Sequence, residues 1–140
     1  MTILFVHGIP ETGAIWAPFI KALDLDEGTW LAPTYPGFGG EPRPVDFRPT
    51  LENYALWLTS QVDMLVQTAG QPIDIVGHDF GATLALRVAS TQSDRRLTAR
   101  AVPILAPGAK RSLTRSLAIS RSSSKHQRKA GAALLRTAVA

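Results

Sequence analysis

The chain has 140 residues, 45% of them hydrophobic and 19% charged, which predicts a single folded domain. It contains no cysteine, which excludes disulfides and thiolate metal sites, and it has no basic leader or apolar run of about 18 residues, so we expect a cytoplasmic protein that is not in a membrane. The net charge of +4 is unevenly divided: residues 1–93 carry four basic and ten acidic groups (net −6), whereas residues 94–140 carry eleven basic groups and one acidic group (net +10).

The first part of the chain predicts strands and helices in alternation. Residues 2–6 are a short apolar run, typical of a buried parallel strand. A helix is expected from about Trp16, with Pro18 tolerated only in its first turn. Residues 29–33 are a candidate for a second short strand, and the proline- and glycine-rich residues 35–44 predict a long loop.

The clearest helix follows this loop. Apolar residues recur at helical spacing after Thr50, which can cap the N-terminus, and Gly70 ends the pattern. Residues 73–76 then predict a strand, and a further helix is expected from Phe80 to about Ser90. This order indicates an α/β fold with a parallel sheet and helices on both faces.

The pattern weakens in the basic part of the chain. Residues 101–106 are a candidate for one more strand, although their central proline is a poor fit for a ladder. Residues 120–129 are rich in Ser, Arg and Lys without an apolar face, and we expect them to be disordered. We therefore divide the chain into a folded part, residues 1–93, and a basic segment, residues 94–140, which we expect to be disordered or frameshifted.

One joint in the sequence is built to present an acidic side chain. The β-branched strand 73–76 runs through a Gly-x-Asp-x-Gly turn directly into a helix, and Asp79 lies at the tip of that turn. Gly77 and Gly81 allow strand and helix to approach closely. The alternative is that Asp79 merely caps the following helix.

Three motifs together resemble the N-terminal half of an α/β-hydrolase. They are residues 3–10 (ILFVHGIP), residues 35–39 (YPGFG) and residues 76–81 (VGHDFG). The acidic residue in the turn and the His-Gly-x-Pro pattern narrow the resemblance to the branch that contains epoxide hydrolases and haloalkane or haloacid dehalogenases. The resemblance covers residues 2–92 and implies a partial, truncated α/β-hydrolase core.

The resemblance implies a two-step substitution on a small organic molecule. Asp79 would be the nucleophile, forming an ester with an electrophilic carbon, and a histidine-activated water would then hydrolyse that ester. The backbone amides of Ile9 and Phe80 would form the oxyanion hole, while Pro10 has no N–H to donate. No metal or organic cofactor is implied.

Two substrate classes remain open within this branch. Dehalogenases commonly hold the leaving halide with an indole N–H after the nucleophile, and many have an Asn in the oxyanion loop. This chain has Phe80 and Ile9 at those places, which favours epoxide hydrolysis over dehalogenation. Tyr35 and Tyr54 do not correspond to the tyrosines with which epoxide hydrolases protonate the epoxide oxygen.

The partners that such a nucleophile needs are missing downstream. The family order places an acid and then a histidine after the nucleophile, yet the one later histidine is His126, in the basic segment, and no acidic residue lies beyond Asp94. We expect His7 and His78 to be structural. Our hypothesis is that residues 94–140 are out-of-frame or degraded sequence, so that the ester could form but turnover is in doubt.

Three further expectations concern partners and packing. The basic segment could bind nucleic acid or another polyanion in a non-catalytic protein, but it lacks interleaved aromatic residues, which disfavours that function. A short sheet with an exposed edge could self-associate. Three tryptophans lie in apolar-periodic segments and predict core packing rather than substrate stacking: Trp16, Trp30 and Trp57.

Overall fold

The computed structural model describes residues 2–91, 97–101 and 118–119, with the backbone alone for the last two segments. The described strands form one sheet in the order β2-β1-β3-β4-β5, in which the first four are parallel and β5 is antiparallel to β4. The strands are β1 (Thr2–Val6), β2 (Trp30–Leu31), β3 (Ile73–Gly77), β4 (Leu97–Ala101) and β5 (Ala118–Ile119). The predicted α/β class with a parallel sheet is therefore confirmed.

The helices begin and end where the local chemistry allows. A 3-10 turn, Gly13–Trp16, runs into α1 (Ala17–Ala22), and Pro18 falls in the first turn of α1, as expected. Helix α2 (Leu51–Ala69) starts where the Thr50 hydroxyl accepts a hydrogen bond from the Asn53 N–H at 3.2 Å. Helix α2 stops at Gly70, whose φ of 58° places it in the left-handed region. Helix α3 spans Phe80–Thr91.

The sheet has helices on both faces because neighbouring residues of β1 point in opposite directions. Leu4 and Val6 belong to a core formed with α2 and α3, whereas Ile3 and Phe5 pack against the 3-10 turn and α1 on the other face. Strand β3 continues both layers in register, since Leu4 pairs with Ile75 and Phe5 with Val76. The three tryptophans pack in or against these two cores, as predicted.

The predicted strand at residues 101–106 meets an observed strand only at Ala101. Strand β4 covers Leu97–Ala101 and pairs from Ile73↔Leu97 to Gly77↔Ala101. β5 also lies inside the basic segment and pairs with β4. Three further predictions lie outside the described residues. They are the domain boundary at residue 93, the rest of the predicted strand at residues 102–106, and the disorder of residues 120–129.

Among the described residues, no helix combines the length and apolar character needed to cross a membrane. At one end of the described sheet, β2 pairs with β1 alone. Self-association through this edge stays a prediction.

Candidate active site

The joint between β3 and α3 holds one residue in strained backbone. Strand β3 ends at Gly77 and α3 begins at Phe80, so only two residues make the turn. Asp79 has a φ of 51°, in the left-handed region that side chains other than glycine rarely adopt. The turn is closed by a hydrogen bond from the Gly81 N–H to the His78 carbonyl at 2.8 Å. We call residues 77–81 the elbow.

Both elbow glycines are required by close backbone contacts. A Cβ on Gly77 would lie 2.4 Å from the Gly81 carbonyl oxygen, and a Cβ on Gly81 would lie 2.3 Å from the carbonyl oxygen of Val6. These neighbours are backbone atoms, so no side-chain movement could relieve the clash. The spacing of the two glycines therefore brings α3 directly against the end of β1.

The side chain of Asp79 is exposed and held by backbone donors. The Phe80 N–H hydrogen-bonds its carboxylate, and the Ile9 N–H donates to Oδ2 at 3.3 Å. These two hydrogen bonds, with a smaller contribution from nearby His78, keep the pKa of Asp79 below its usual value, whereas the slight burial works in the opposite direction. Asp79 is thus an accessible carboxylate that stays ionised.

The structure brings together the three residues that the sequence singled out. Ile9 and Phe80 direct their amides at the same carboxylate, one from the segment after β1 and one from the start of α3. We call residues 7–11 the β1 loop. The Ile9–Pro10 peptide bond in this loop is cis, and Ile9 itself is 47% exposed.

His7 is the buried support of the β1 loop. Its Nδ1–H donates to the Gly8 carbonyl at 2.7 Å, and its Nε2 accepts a hydrogen bond from the Tyr35 N–H at 3.0 Å. The Tyr35 hydroxyl donates in return to the His7 carbonyl at 2.7 Å. Burial is the main reason that the pKa of His7 is lowered, which favours the neutral ring these bonds require. Both ring nitrogens are occupied by backbone groups, in agreement with a structural role.

Glu11 is a residue of this site that the sequence analysis did not single out. Its Oε2 accepts a hydrogen bond from the Gly8 N–H at 3.0 Å, and its Oε1 lies 3.5 Å from His78 Nε2. Glu11 therefore connects the β1 loop to the elbow. In the sequence, the one sign of Glu11 is an acidic residue four positions after His7. Its contact partner His78 lies 67 residues further along the chain, so the sequence does not reveal the pair.

The ring of Phe80 faces the core rather than the open side of the elbow. It makes edge-to-face contacts with Tyr35 and Tyr54 at centroid distances of 6.0 and 5.9 Å. The two tyrosines are buried, and burial raises the pKa of each hydroxyl. Phe80 and the two tyrosines therefore form a buried aromatic cluster beside the elbow.

Within residues 2–91, no three His, Cys, Asp or Glu side chains are grouped so that they could hold a metal ion. Neither a downstream acid nor a second-step histidine is present in that range, since His126 lies outside the described residues. The chemistry available from the described residues is therefore that of an ionised carboxylate beside two N–H donors.

A parallel sheet with helices on both faces and a strand–turn–helix joint at the end of its central strand defines an α/β-hydrolase fold. The sequence agrees, because a family model described as "Alpha/beta hydrolase family" matches residues 3–138. The chain belongs to this family. No curated protein matches the sequence significantly.

Solved structures with the same fold act on different substrates. Epoxide hydrolase A from Mycobacterium thermoresistibile is similar at 28% identity and a TM-score of 0.54, over 95% of this chain and 37% of its own. A loop variant of haloalkane dehalogenase from Bradyrhizobium elkanii shows 26% identity and a TM-score of 0.52, over 69% of this chain and 30% of its own. A monoacylglycerol lipase from Paleococcus ferrophilus is 23% identical with a TM-score of 0.56, over 79% and 42% of the two chains, which shows the fold alone.

The present chain thus spans well under half the length of these enzymes.

Proposed function

We propose that this hydrolase-family chain uses Asp79 as a nucleophile toward a small organic electrophile, with an epoxide as the favoured substrate. The observation that carries the proposal is the state of Asp79. Its backbone is in the left-handed region, and its exposed carboxylate interacts with the backbone N–H groups of Ile9 and Phe80. A carboxylate needs no base to be nucleophilic at neutral pH, and a lowered pKa extends that range.

The first step forms an ester. One Asp79 oxygen attacks an epoxide carbon, the carbon–oxygen bond of the ring breaks, and the released alkoxide takes a proton from solvent or from a donor near the elbow. The second oxygen becomes the carbonyl of the ester. When water attacks that ester, the new negative charge falls on this oxygen. If Oδ1 is the attacking atom, this oxygen is Oδ2, which already accepts the hydrogen bond from the Ile9 N–H, and the Phe80 N–H also stabilises negative charge on the Asp79 carboxylate.

Dehalogenation is the second candidate, because a haloalkane dehalogenase shares 26% identity with the chain and the same carboxylate could displace a halide. Expulsion of halide is assisted by an N–H donor on the leaving atom. Phe80 has no side-chain donor, and its ring packs against Tyr35 and Tyr54. This packing supports the epoxide over the halide.

Intact-protein mass spectrometry after incubation with styrene oxide, 1,2-epoxyhexane, 1-bromohexane and bromoacetate tests the proposal. An epoxide adds its whole mass to the protein, whereas a halide adds its organic group with loss of the hydrogen halide, so the mass distinguishes the two functions. Peptide mapping should locate the adduct on Asp79.

Two variants serve as controls for this experiment. Asp79→Asn should form no adduct with any reagent. Asp24 has nearly the same φ as Asp79, 50° against 51°, and is also exposed. Asp24→Asn should therefore leave the labelling unchanged. Equal labelling of the Asp79→Asn variant and the unchanged protein contradicts the proposal.

A further inference from the structure

Two acidic side chains of the site, those of Asp79 and Glu11, come close to one glycine, Gly8. A Cβ placed on Gly8 would lie 2.8 Å from Cβ of Asp79, 2.9 Å from Oε2 of Glu11 and 3.0 Å from Oδ2 of Asp79. Gly8 is buried, and its missing side chain leaves the space in which both carboxylates approach the backbone of the β1 loop. Any larger residue there would displace one of them.

The two carboxylates are bound by consecutive backbone donors. The N–H of Gly8 donates to Glu11 at 3.0 Å, and the next N–H along the chain, that of Ile9, donates to Asp79 at 3.3 Å. The direction of one peptide N–H therefore depends on the bond made by its neighbour. A loop that loses the first bond is free to turn the second away from Asp79.

Glu11 is also fixed from the elbow. Its other oxygen, Oε1, lies 3.5 Å from Nε2 of His78, the residue immediately before Asp79. The side chain of Glu11 is partly buried, with 30% exposure, and that of His78 is 14% exposed, so this contact is sheltered from bulk solvent. One carboxylate thus spans the gap between the β1 loop and the elbow.

We propose that Glu11 is a positioning residue that ties the β1 loop to the elbow through Gly8 and His78 and so keeps the Ile9 amide directed at Asp79. It does not touch the substrate or the reacting atoms. This inference extends the proposed function, since a fixed Ile9 donor is what the ester-hydrolysis step requires.

Removal of Glu11 should shift the pKa of Asp79 in one direction if Glu11 positions the Ile9 amide, and in the opposite direction if Glu11 acts only through its charge. If Glu11 acted only through its negative charge, removing it would lower the pKa of Asp79, because a like charge disfavours ionisation. If Glu11 holds the Ile9 amide in place, its removal takes a hydrogen bond from the ionised carboxylate and raises the pKa of Asp79. The sign of the shift therefore separates the two explanations.

The test is an NMR titration of the Asp79 side-chain carboxyl carbon in the whole chain, with aspartate labelled with carbon-13. In Glu11→Ala we expect the pKa of Asp79 to rise by about half a unit or more. In Glu11→Gln, which keeps an acceptor for the Gly8 N–H, it should not rise. The NMR chemical shift of the Ile9 amide should change with pH together with the Asp79 carboxyl signal in the unchanged protein and in Glu11→Gln. In Glu11→Ala the Ile9 chemical shift should no longer follow Asp79.

Controls keep this result interpretable. Glu27→Ala removes an exposed acidic residue outside the site and should leave the Asp79 titration unchanged. If Glu11→Ala does not fold, Glu11→Met replaces the side chain at similar length without an acceptor. An unchanged or lowered pKa of Asp79 in the folded Ala or Met variant overturns the proposal, as does an equal rise in Glu11→Gln. No substrate is needed, so this outcome is independent of whether Asp79 forms a covalent adduct.

Discussion

The backbone N–H of Ile9 donates to Oδ2 of Asp79 at 3.3 Å, although the two residues are 70 positions apart in the chain. The contact exists because β1 and β3 are neighbouring parallel strands whose carboxyl ends meet at the same edge of the sheet. The segment after one strand thereby supplies a donor, and the turn after the other supplies the acceptor.

Alkylation of Asp79 should depend on pH through the ionised carboxylate alone. Since its pKa lies below the usual value of 3.8, the initial rate of adduct formation with 1,2-epoxyhexane should be constant from pH 8 to about 5 and fall by half only below pH 3.8. Quenched-flow mass spectrometry measures this rate. An N-acetyl aspartate amide, run in parallel, should lose its reactivity at a higher pH. A midpoint at or above that of the model compound contradicts the prediction.

The strained backbone of Asp79 predicts an unusual stability difference between two inactive variants. Neither Asp79→Ala nor Asp79→Gly has the carboxylate, but only glycine relieves the left-handed φ of 51°. We expect the Gly variant to exceed the Ala variant by about 1 kcal/mol in the free energy of unfolding by urea.

The pair Asp24→Ala and Asp24→Gly provides the matched comparison, because Asp24 has a φ of 50° outside the site. Asp24→Gly should likewise be more stable than Asp24→Ala in the free energy of unfolding. Equal stability of the two Asp79 variants, with a clear difference at Asp24, would show that the elbow relaxes when the carboxylate is removed.

Gly81 should tolerate no side chain. The added Cβ of Gly81→Ala would lie 2.3 Å from the carbonyl oxygen of Val6 and 2.5 Å from that of His7, so β1 and α3 must separate. We expect a loss of about 3 kcal/mol in the free energy of unfolding. Gly28→Ala is the control, since a Cβ at Gly28 meets nothing within 4 Å and its cost is limited to about 1 kcal/mol of backbone strain at a φ of 81°. Urea titrations of both variants should separate them clearly.

His7 should make stability sensitive to pH in mildly acidic solution. The pKa of His7 is lowered in the folded state, so below the unfolded-state value of about 6.5 the unfolded chain binds the proton first. Its contribution to stability is complete above that pH and is lost as the pH falls toward the folded-state pKa. The slope approaches about 1.4 kcal/mol per pH unit. Urea unfolding between pH 8 and 5 measures it.

Two variants assign this slope to His7. His7→Phe should remove most of the slope, at the expense of leaving the Tyr35 N–H without its acceptor and lowering stability at every pH. His78→Gln should retain the slope. A slope that persists in His7→Phe contradicts the prediction.

Much of the site could be predicted because it depends on local rules. The glycines at 77 and 81, the β-branched strand before them and the helix-forming sequence after them each favour a tight strand-to-helix turn, and they placed Asp79 at its tip. The amides of Ile9 and Phe80 followed from the resemblance to α/β-hydrolases.

What the sequence did not reveal depends on contacts between distant segments. Glu11 has an ordinary position in a loop, and only the pairing of β1 with β3 brings it to His78. The same applies to the reciprocal hydrogen bonds of His7 and Tyr35. Residues 97–100 of strand β4 were not predicted, because residues 97–101 (LTARA) have little β-branched character, and pairing with β3, rather than local propensity, makes them a strand.

Within the part of the chain that the structure describes, the donors to the Asp79 carboxylate and the contacts of Glu11 come from residues 7–11, 78 and 80, which follow the two adjacent strands β1 and β3. These contacts therefore depend on how β1 and β3 pair in the middle of the described sheet. A change of one residue in the register between β1 and β3 would separate the Ile9 donor from Asp79 even if both strands still formed.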